Sequence, residues 1–356
     1  MSKAIKAIAG IVISAVFLYF AFRGLDFQEV WTHMQSANYF WLGAVALATL
    51  YANWVRAQRW DHFFRHLKRI PMGSLFSSTM VGMAANNVLP LRIGEVVRAV
   101  SISKKEREIP LPTAFTTILL ERMFDMVMVL IFLGLTLALV PIPESAGAQV
   151  AQAAKLLGAI AGVVVVAILF LFFKQELMVR WIDRLVDFLP ARVGAPARHM
   201  FHAFVGGLHA LTDRRQLLYL LAYSVWLWLM LGAAFAFGAL AMNLHGAYGV
   251  PFVVGGIATV TLVAIFIMVP SAPGFVGPFQ LGCVAALSIF GVPKAEAAAY
   301  GVLVHIFQYM PITIVGAIYF VREGLSLSEV QHAEQPAPEA VEKQMEELER
   351  KLEAEG

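Results

Sequence analysis

The ionisable side chains of this chain sit where an apolar sequence has least reason to hold them. The stretch NNVLPLRIGEVVRAV (86–100) follows seventeen largely apolar residues and places Arg92, Glu95 and Arg98 behind two asparagines, a proline and a glycine. Further on, ILLERMFDMV carries Glu121, Arg122 and Asp125 inside another apolar run. A guanidinium group is a planar fork that binds carboxylate and phosphate alike. On a helix Glu121 and Asp125 are four apart and Arg122 and Asp125 three apart, so all three project towards one broad face. The six charges sum to zero, and two readings fit them. One is a closed ion-pair network that pins the two segments together. The other is an anion site, in which the arginines exchange carboxylate partners for an anionic headgroup and the carboxylates compensate the empty site.

Composition supplies the medium. Of 356 residues 59% are hydrophobic and 14% charged, against an average of roughly 45–50% apolar and about 25% charged in globular domains. The chain reads as an all-α polytopic membrane protein. Segments long enough to span roughly 30 Å of hydrocarbon lie near 5–22, 39–55, 113–139, 150–173, 216–240 and 296–320. Two more, 72–89 and 251–270, end in Pro/Gly-bearing stretches. Counted from Pro112, Glu121 lies about 14 Å into its helix, near mid-bilayer. An ionised group there costs about 2.5–3.5 kcal/mol on insertion scales, so it must face protein, another charge or a wet cavity. The first segment, AIAGIVISAVFLYFAF, lacks a small-x-small cleavage site and reads as an uncleaved span. The single cysteine, Cys283, excludes an intrachain disulfide.

The basic residues assign sides, because short cytoplasmic loops carry the Lys/Arg excess. Lys3/Lys6, a loop Arg56/Arg59/Arg65/Lys68/Arg69, the loop Lys104/Lys105/Arg107 and the segment 174–215 go inside, while 23–38, 141–149, 241–250 and 291–295 go outside. The basic loops on both sides of 72–100 require that stretch to enter and leave on the cytoplasmic face, and 251–290 mirrors it from the other. The expectation is about six full transmembrane helices plus two re-entrant broken-helix hairpins, in the inner membrane, with both termini cytoplasmic. The segment 174–215 reads as an interfacial cytoplasmic element. Its His199, His202 and His209 have no acid or cysteine beside them to complete a metal site, and no metal, cofactor or nucleic acid is expected. The tail, 326–356, holds nine acids and three bases, leaving 1–325 with 24 bases against 15 acids, a net +9.

At an offset of 183, Pro90, Gly94 and Pro110 fall on Pro273, Gly277 and Pro293, while Arg122 falls on His305 and Asp125 on Gln308. The two units, about 72–140 and 251–320, run in opposite directions across the bilayer under this topology. Inverted repeats with broken helices are a signature of carriers that bind substrate near the midplane. Gly94 suits a tight turn or a close backbone approach, and the helix start after Pro90 favours an anion. Asn86 and Asn87 are expected to cap the helix before them.

These motifs resemble the lysylphosphatidylglycerol synthase transmembrane-region family of flippase-like membrane proteins. The family's Asn-Leu-Pro-x-Arg-x-Gly-Glu pattern, with an Arg three on, is similar to Asn87, Pro90, Arg92, Gly94, Glu95 and Arg98, with Val88 intervening. Its Glu-Arg-x-x-Asp pattern is matched by Glu121, Arg122 and Asp125, and its Pro-Gly-x-x-Gly pattern by Pro273, Gly274 and Gly277. Gln280 stands where the family usually has an acid, and His305 where an arginine is common. The resemblance covers nearly all of 1–325. It implies movement of lipids or lipid-linked headgroups between leaflets, with an anionic phospholipid or a polyprenyl-phosphate-linked lipid as partner. Only the 31-residue tail follows the last span, so aminoacyl transfer is not expected. The substrate-binding residues expected are Arg92, Glu95, Arg98, Glu121, Arg122 and Asp125, with Asn87, Gly94, Gly274, Gly277, Gln280 and His305. The second reading is a membrane enzyme acting on a lipid or polyprenyl phosphate, with Glu95 or Asp125 as base. The third is a non-transporting scaffold with a homo-oligomeric or tail-bound partner.

Overall fold

A computed structural model describes residues 3–65, 67–89, 93–139, 162, 214–269 and 271–324. Arg92, Pro90, Pro270, the expected outer loop 141–149, the expected span 150–173 apart from Gly162, the segment from 174 to 213 with its three histidines, and the acidic tail lie outside the described residues. The described residues are helical: α1 Lys3–Phe22, α2 Phe27–Gln35, α3 Tyr39–Phe64, α4 Met72–Val88, α5 Gly94–Lys105, α6 Leu111–Leu139, α7 Arg214–Ala241, α8 Leu244–Tyr248, α9 Phe252–Phe266, α10 Pro278–Ser288 and α11 Lys294–Arg322. Among them α6, α7 and α11 are long and apolar enough to cross a membrane, and α1 with α2 forms a further such pair bent by 82°. The chain is a multi-pass membrane protein.

Two expectations about loops are corrected. The segment 23–38 is not all loop: Asp26 accepts from the Gln28 N–H at 2.8 Å and starts α2. Its Phe27 and Trp31 are exposed, one helical turn apart. The proposed basic loop at 56–69 begins later, because α3 continues to Phe64 with Trp60, Phe63 and Phe64 buried. Arg56 and Arg59 are therefore helical residues. Their low hydropathy ends an apolar window near Val55, but the helix continues because their charges find partners inside the bundle.

Helix α11, about 43 Å long at 1.5 Å per residue, is the ruler for everything else. Helices α4 and α5 pack as an antiparallel hairpin whose mouth lies at the C-terminal end of α11, where Lys105 pairs with Glu323. Its tip lies at mid-α11, where the Asn87 amide donates to Thr313 Oγ1 at 2.9 Å and to the Tyr309 carbonyl at 3.3 Å. Helices α9 and α10 form the second hairpin, with its mouth at the N-terminal end of α11, where the Tyr248 hydroxyl donates to Glu296 at 2.6 Å. Its tip, the short 3-10 turn Pro273–Phe275, reaches His305. The hairpins thus open towards opposite ends of α11 and meet tip to tip: a Cβ on Gly274 would lie 3.2 Å from the Asn87 carbonyl oxygen. Return helices of 12 and 11 residues reach only about 18 and 16 Å, short of the roughly 30 Å a crossing needs.

Glycine sets the first hairpin's spacing. A Cβ on Gly94 would stand 2.0 Å from the Gly82 carbonyl oxygen, so α4 and α5 can touch only because Gly94 has none. Its role is close approach rather than a turn. Neither asparagine caps its own helix: the Asn87 amide donates to α11, and Asn86 Oδ1 accepts from the Gly94 N–H at 2.8 Å, capping the start of α5 across the break. Gly277 is the counterpart in the second hairpin by sequence offset, with φ +100°, and packs against α1 at Ser14.

Two apolar cores flank the middle of the bundle. One, around Trp60, Phe63, Ile102, Ile118 and Phe124, lies towards the end that carries Arg65, Lys68, Lys104, Lys105 and Arg215, hereafter the basic end. The other, around Leu42, Phe132, Phe235, Phe279 and Tyr300, fills the opposite half.

Candidate functional site

At the junction of these two cores, on α6, sit Glu121 and Asp125. Glu121 is fully buried, and one of its oxygens, Oε1, lies 3.2 Å from Arg56, 3.4 Å from Arg59, 3.0 Å from Arg98 and 2.8 Å from Arg122. Asp125 lies 3.5 Å from Arg56, 2.8 Å from Arg59 and 3.2 Å from Arg122. Glu95, at the start of α5, approaches Arg122 to only 3.6 Å. Ten residues into α6 is about 15 Å from its start, so the cluster lies near the middle of the spanning length.

Each arginine is held by its own element. Arg56 and Arg59 are three apart on one face of α3, and Arg59 also donates to Ser224 of α7 at 3.0 Å. The Arg98 guanidinium lies 3.8 Å over the Trp60 ring, whose indole N–H is anchored on Thr117 at 2.9 Å. A cation over an indole face gains about 2 kcal/mol or more when desolvated. The Trp228 indole donates to Asp125 at 3.4 Å.

The sequence pattern groups Arg92, Glu95, Arg98, Glu121, Arg122 and Asp125; Arg92 lies outside the described residues, and the structure places the other five in one cluster. Arg56 and Arg59, expected in a loop, join them from α3. The usable signal was their three-residue spacing inside the apolar frame Val55, Trp60, Phe63. The charge balance changes with them. Among the described residues the cluster holds four arginines against three carboxylates, an excess of one positive charge, with Arg92 outside that count. Six guanidinium nitrogens have no hydrogen-bond acceptor among the described residues: Nε of all four arginines and one Nη each of Arg59 and Arg98. Exposure is graded, with Arg59, Arg98 and Glu121 at 0–2% and Arg122 and Glu95 at 29% and 23%. The cluster therefore has a sealed back and an open Arg122–Glu95 edge.

The second-hairpin residues form a separate, electrically neutral knot. Gln280 Oε1 accepts from the Gly277 N–H at 2.7 Å, and its Nε2 donates to His305 Nδ1 at 2.8 Å. His305 Nε2 then carries the proton and donates to the Gly274 carbonyl at 2.9 Å. The imidazole stacks on Phe279 at 4.5 Å and meets the Tyr309 ring at 4.2 Å. These bonds tie the tip of the second hairpin to α11.

The chain matches the family described as "Lysylphosphatidylglycerol synthase TM region" over residues 7–316. It belongs to that family. The match takes in every described element from α1 into α11, and so the whole charge cluster. The chain is also similar to Glycosyltransferase AglD of Haloferax volcanii, with 26% identity over 138 residues, which is 38% of this chain and 22% of that protein. The likeness thus spans about a fifth of the relative's length. No solved structure matches this member of the family.

Proposed function

We propose that this protein moves an anionic lipid, or a lipid-linked phosphate headgroup, between the leaflets of the cell's inner membrane. The observation that carries the reading is the excess, among the described residues, of guanidinium over carboxylate at mid-bilayer depth, with six N–H-bearing nitrogens lacking acceptors among those residues. A buried polar group without a partner is destabilising by about 1–3 kcal/mol, more when charged. A phosphate offers several strong acceptors and negative charge in the geometry a guanidinium fork recognises. Two broken hairpins that open to opposite ends and meet tip to tip support a carrier of the inverted-repeat kind, with its site at the repeat interface. The basic end faces the cytoplasm in this reading, since the Lys/Arg excess gathers there, and both termini lie on that side. Glu121 is the fixed hub, and Glu95, the loosest and most open carboxylate, yields Arg122 to phosphate. Gln280 and His305 hold the second tip in place behind the ligand.

The experiment is lipid retention. Protein purified in mild detergent should carry a phosphate-bearing anionic lipid, identified by mass spectrometry. Arg56→Ala and Arg122→Ala should each bind it about 10- to 100-fold more weakly, given about 1.5–3 kcal/mol for a hydrogen bond to a charged group. Equal retention of the same lipid by parent and variants would refute the phosphate site.

A second reading has one observation in its favour, the similarity to a protein named as a glycosyltransferase. In that reading the cluster binds a lipid phosphate for chemistry, with Glu95 or Asp125 as base. Turnover of a polyprenyl-phosphate-linked headgroup by purified protein in detergent would select it over transport.

A further inference from the structure

One polar strip in the described structure runs from the charge cluster towards the basic end. It begins one turn beyond Arg98, on the same face of α5, at Ser101, and follows the seam where the first hairpin packs on α11. The Ser101 hydroxyl lies 2.7 Å from Ser78 and donates to Glu323 Oε2 at 3.0 Å. Lys105, one turn further, pairs with Glu323 Oε1, and its ammonium also reaches the Ser77 hydroxyl and Ser78 at 3.1 Å. Ser74, at the mouth, donates to Glu106 at 3.1 Å. Ser77, Ser78 and Ser101 are buried, and Lys105 and Glu323 nearly so, at 19% and 14%.

Serine hydroxyls that bond across helices are common in lipid-embedded bundles, but a buried ion pair is a costly way to join two helices permanently, because a well-packed apolar interface of similar volume is often as stable or more so. The apolar part of this seam is modest: Val81 and Val97 are buried there, with Ala85, Ile93, Tyr319 and Phe320 packed against them, as a cluster apart from both large cores. Helix α11 is tightest against α4 at Gly316, where a Cβ would stand 2.3 Å from the Met80 carbonyl oxygen. Between that contact and Glu323 lie two helical turns in which Tyr319 meets the Phe76 ring edge-on at 6.2 Å, and the polar strip supplies the remaining ties. Pro311, just before the contact, removes one helical N–H, a recognised cause of bending.

We propose that this seam is a gated route by which a phosphate headgroup passes between the basic end and the arginine cluster, with the Lys105–Glu323 pair as its closed gate. The proposal rests on the phosphate reading of the cluster and adds the path and its door. When α11 swings out beyond Gly316, the serine hydroxyls lose one another and become donors for phosphate oxygens. Lys105, freed from Glu323, supplies a positive charge between the surface and Arg98.

Thiol accessibility tests the gate without any need for transport. In a Cys283→Ala background, Ser78→Cys should react slowly with a sulfonated maleimide. Adding Glu323→Lys, which sets two ammonium groups against each other, should raise the rate at least about tenfold. The swap Lys105→Glu with Glu323→Lys should return it to the slow value, showing that the charge pair and not general loosening controls access. In the opened variant, dodecyl phosphate should slow labelling and dodecyl maltoside alone should not. An unchanged rate in Glu323→Lys, a fast rate that the swap does not reverse, or no protection by dodecyl phosphate would each overturn the proposal. Failure of the arginine variants to lose lipid, with the labelling pattern intact, would instead overturn the phosphate reading of the cluster and the route's inner end, leaving only the Lys105–Glu323 pair as a gate to the seam.

Discussion

Replacing Glu121 by glutamine removes the charge on which four guanidinium groups converge while leaving the side chain's shape almost unchanged. Arg59 and Arg98 are 0% and 2% exposed, so neither can turn to water for compensation. Breaking a buried ion pair by removing one partner costs about 3–5 kcal/mol. At about 2–3 °C per kcal/mol for a chain of a few hundred residues, the melting midpoint in detergent should fall by roughly 6 to 15 °C. Glu95→Gln is the matched control. Glu95 is 23% exposed and lies 3.6 Å from Arg122, a separation longer than a hydrogen bond. An ion pair of that kind contributes about 0–1 kcal/mol, so Glu95→Gln should melt within about 3 °C of the parent and bind anionic lipid at least as tightly. Fluorescence-detected thermal melting of the two variants side by side is the assay. If they melt together, the division into a fixed hub and a displaceable counter-anion is wrong.

Changes at three further positions test the scaffold. Gly94→Ala should abolish correctly folded protein, read as loss of the monodisperse peak on size exclusion, because its Cβ would overlap the Gly82 carbonyl. Gly43→Ala, with nothing within 4 Å, should be neutral or stabilising by about 0.5–1 kcal/mol. His305→Ala should cost about 1–3 kcal/mol in thermal stability, since Gln280 and the Gly274 carbonyl both lose their partner. His305→Gln should recover part of that loss.

Much of the site could be read in the sequence because ionisable residues inside apolar runs are conspicuous. Glu121, Arg122 and Asp125 announce a shared helical face by spacing alone, and Pro90 with Gly94 marks the break that lets Glu95 and Arg98 come beside them. Arg56 and Arg59 were hidden by the same rule that organised the rest. Bases near a helix end are counted as loop, and only the apolar frame Val55, Trp60 and Phe63 signals that α3 runs two more turns to meet carboxylates more than 60 residues away. Asn86 was misread for a related reason: its partner, the Gly94 N–H, lies across the break rather than in its own helix. The pairing of Gln280 with His305 depends on how the second hairpin folds against α11, a contact between distant residues that spacing does not reveal.

The central claim, that a mid-membrane arginine cluster carries a lipid phosphate from one leaflet to the other, is tested most directly in vesicles. Purified protein would be reconstituted with fluorescent phosphatidylglycerol, with a fluorescent polyprenyl phosphate and with fluorescent phosphatidylcholine in parallel, and the inward movement of each measured by loss of access to an external quencher. The prediction is movement of at least one of the two anionic lipids faster than phosphatidylcholine, and at least about tenfold slower in Arg122→Ala. No movement of either anionic lipid, or the same rate in parent and Arg122→Ala, would contradict the account.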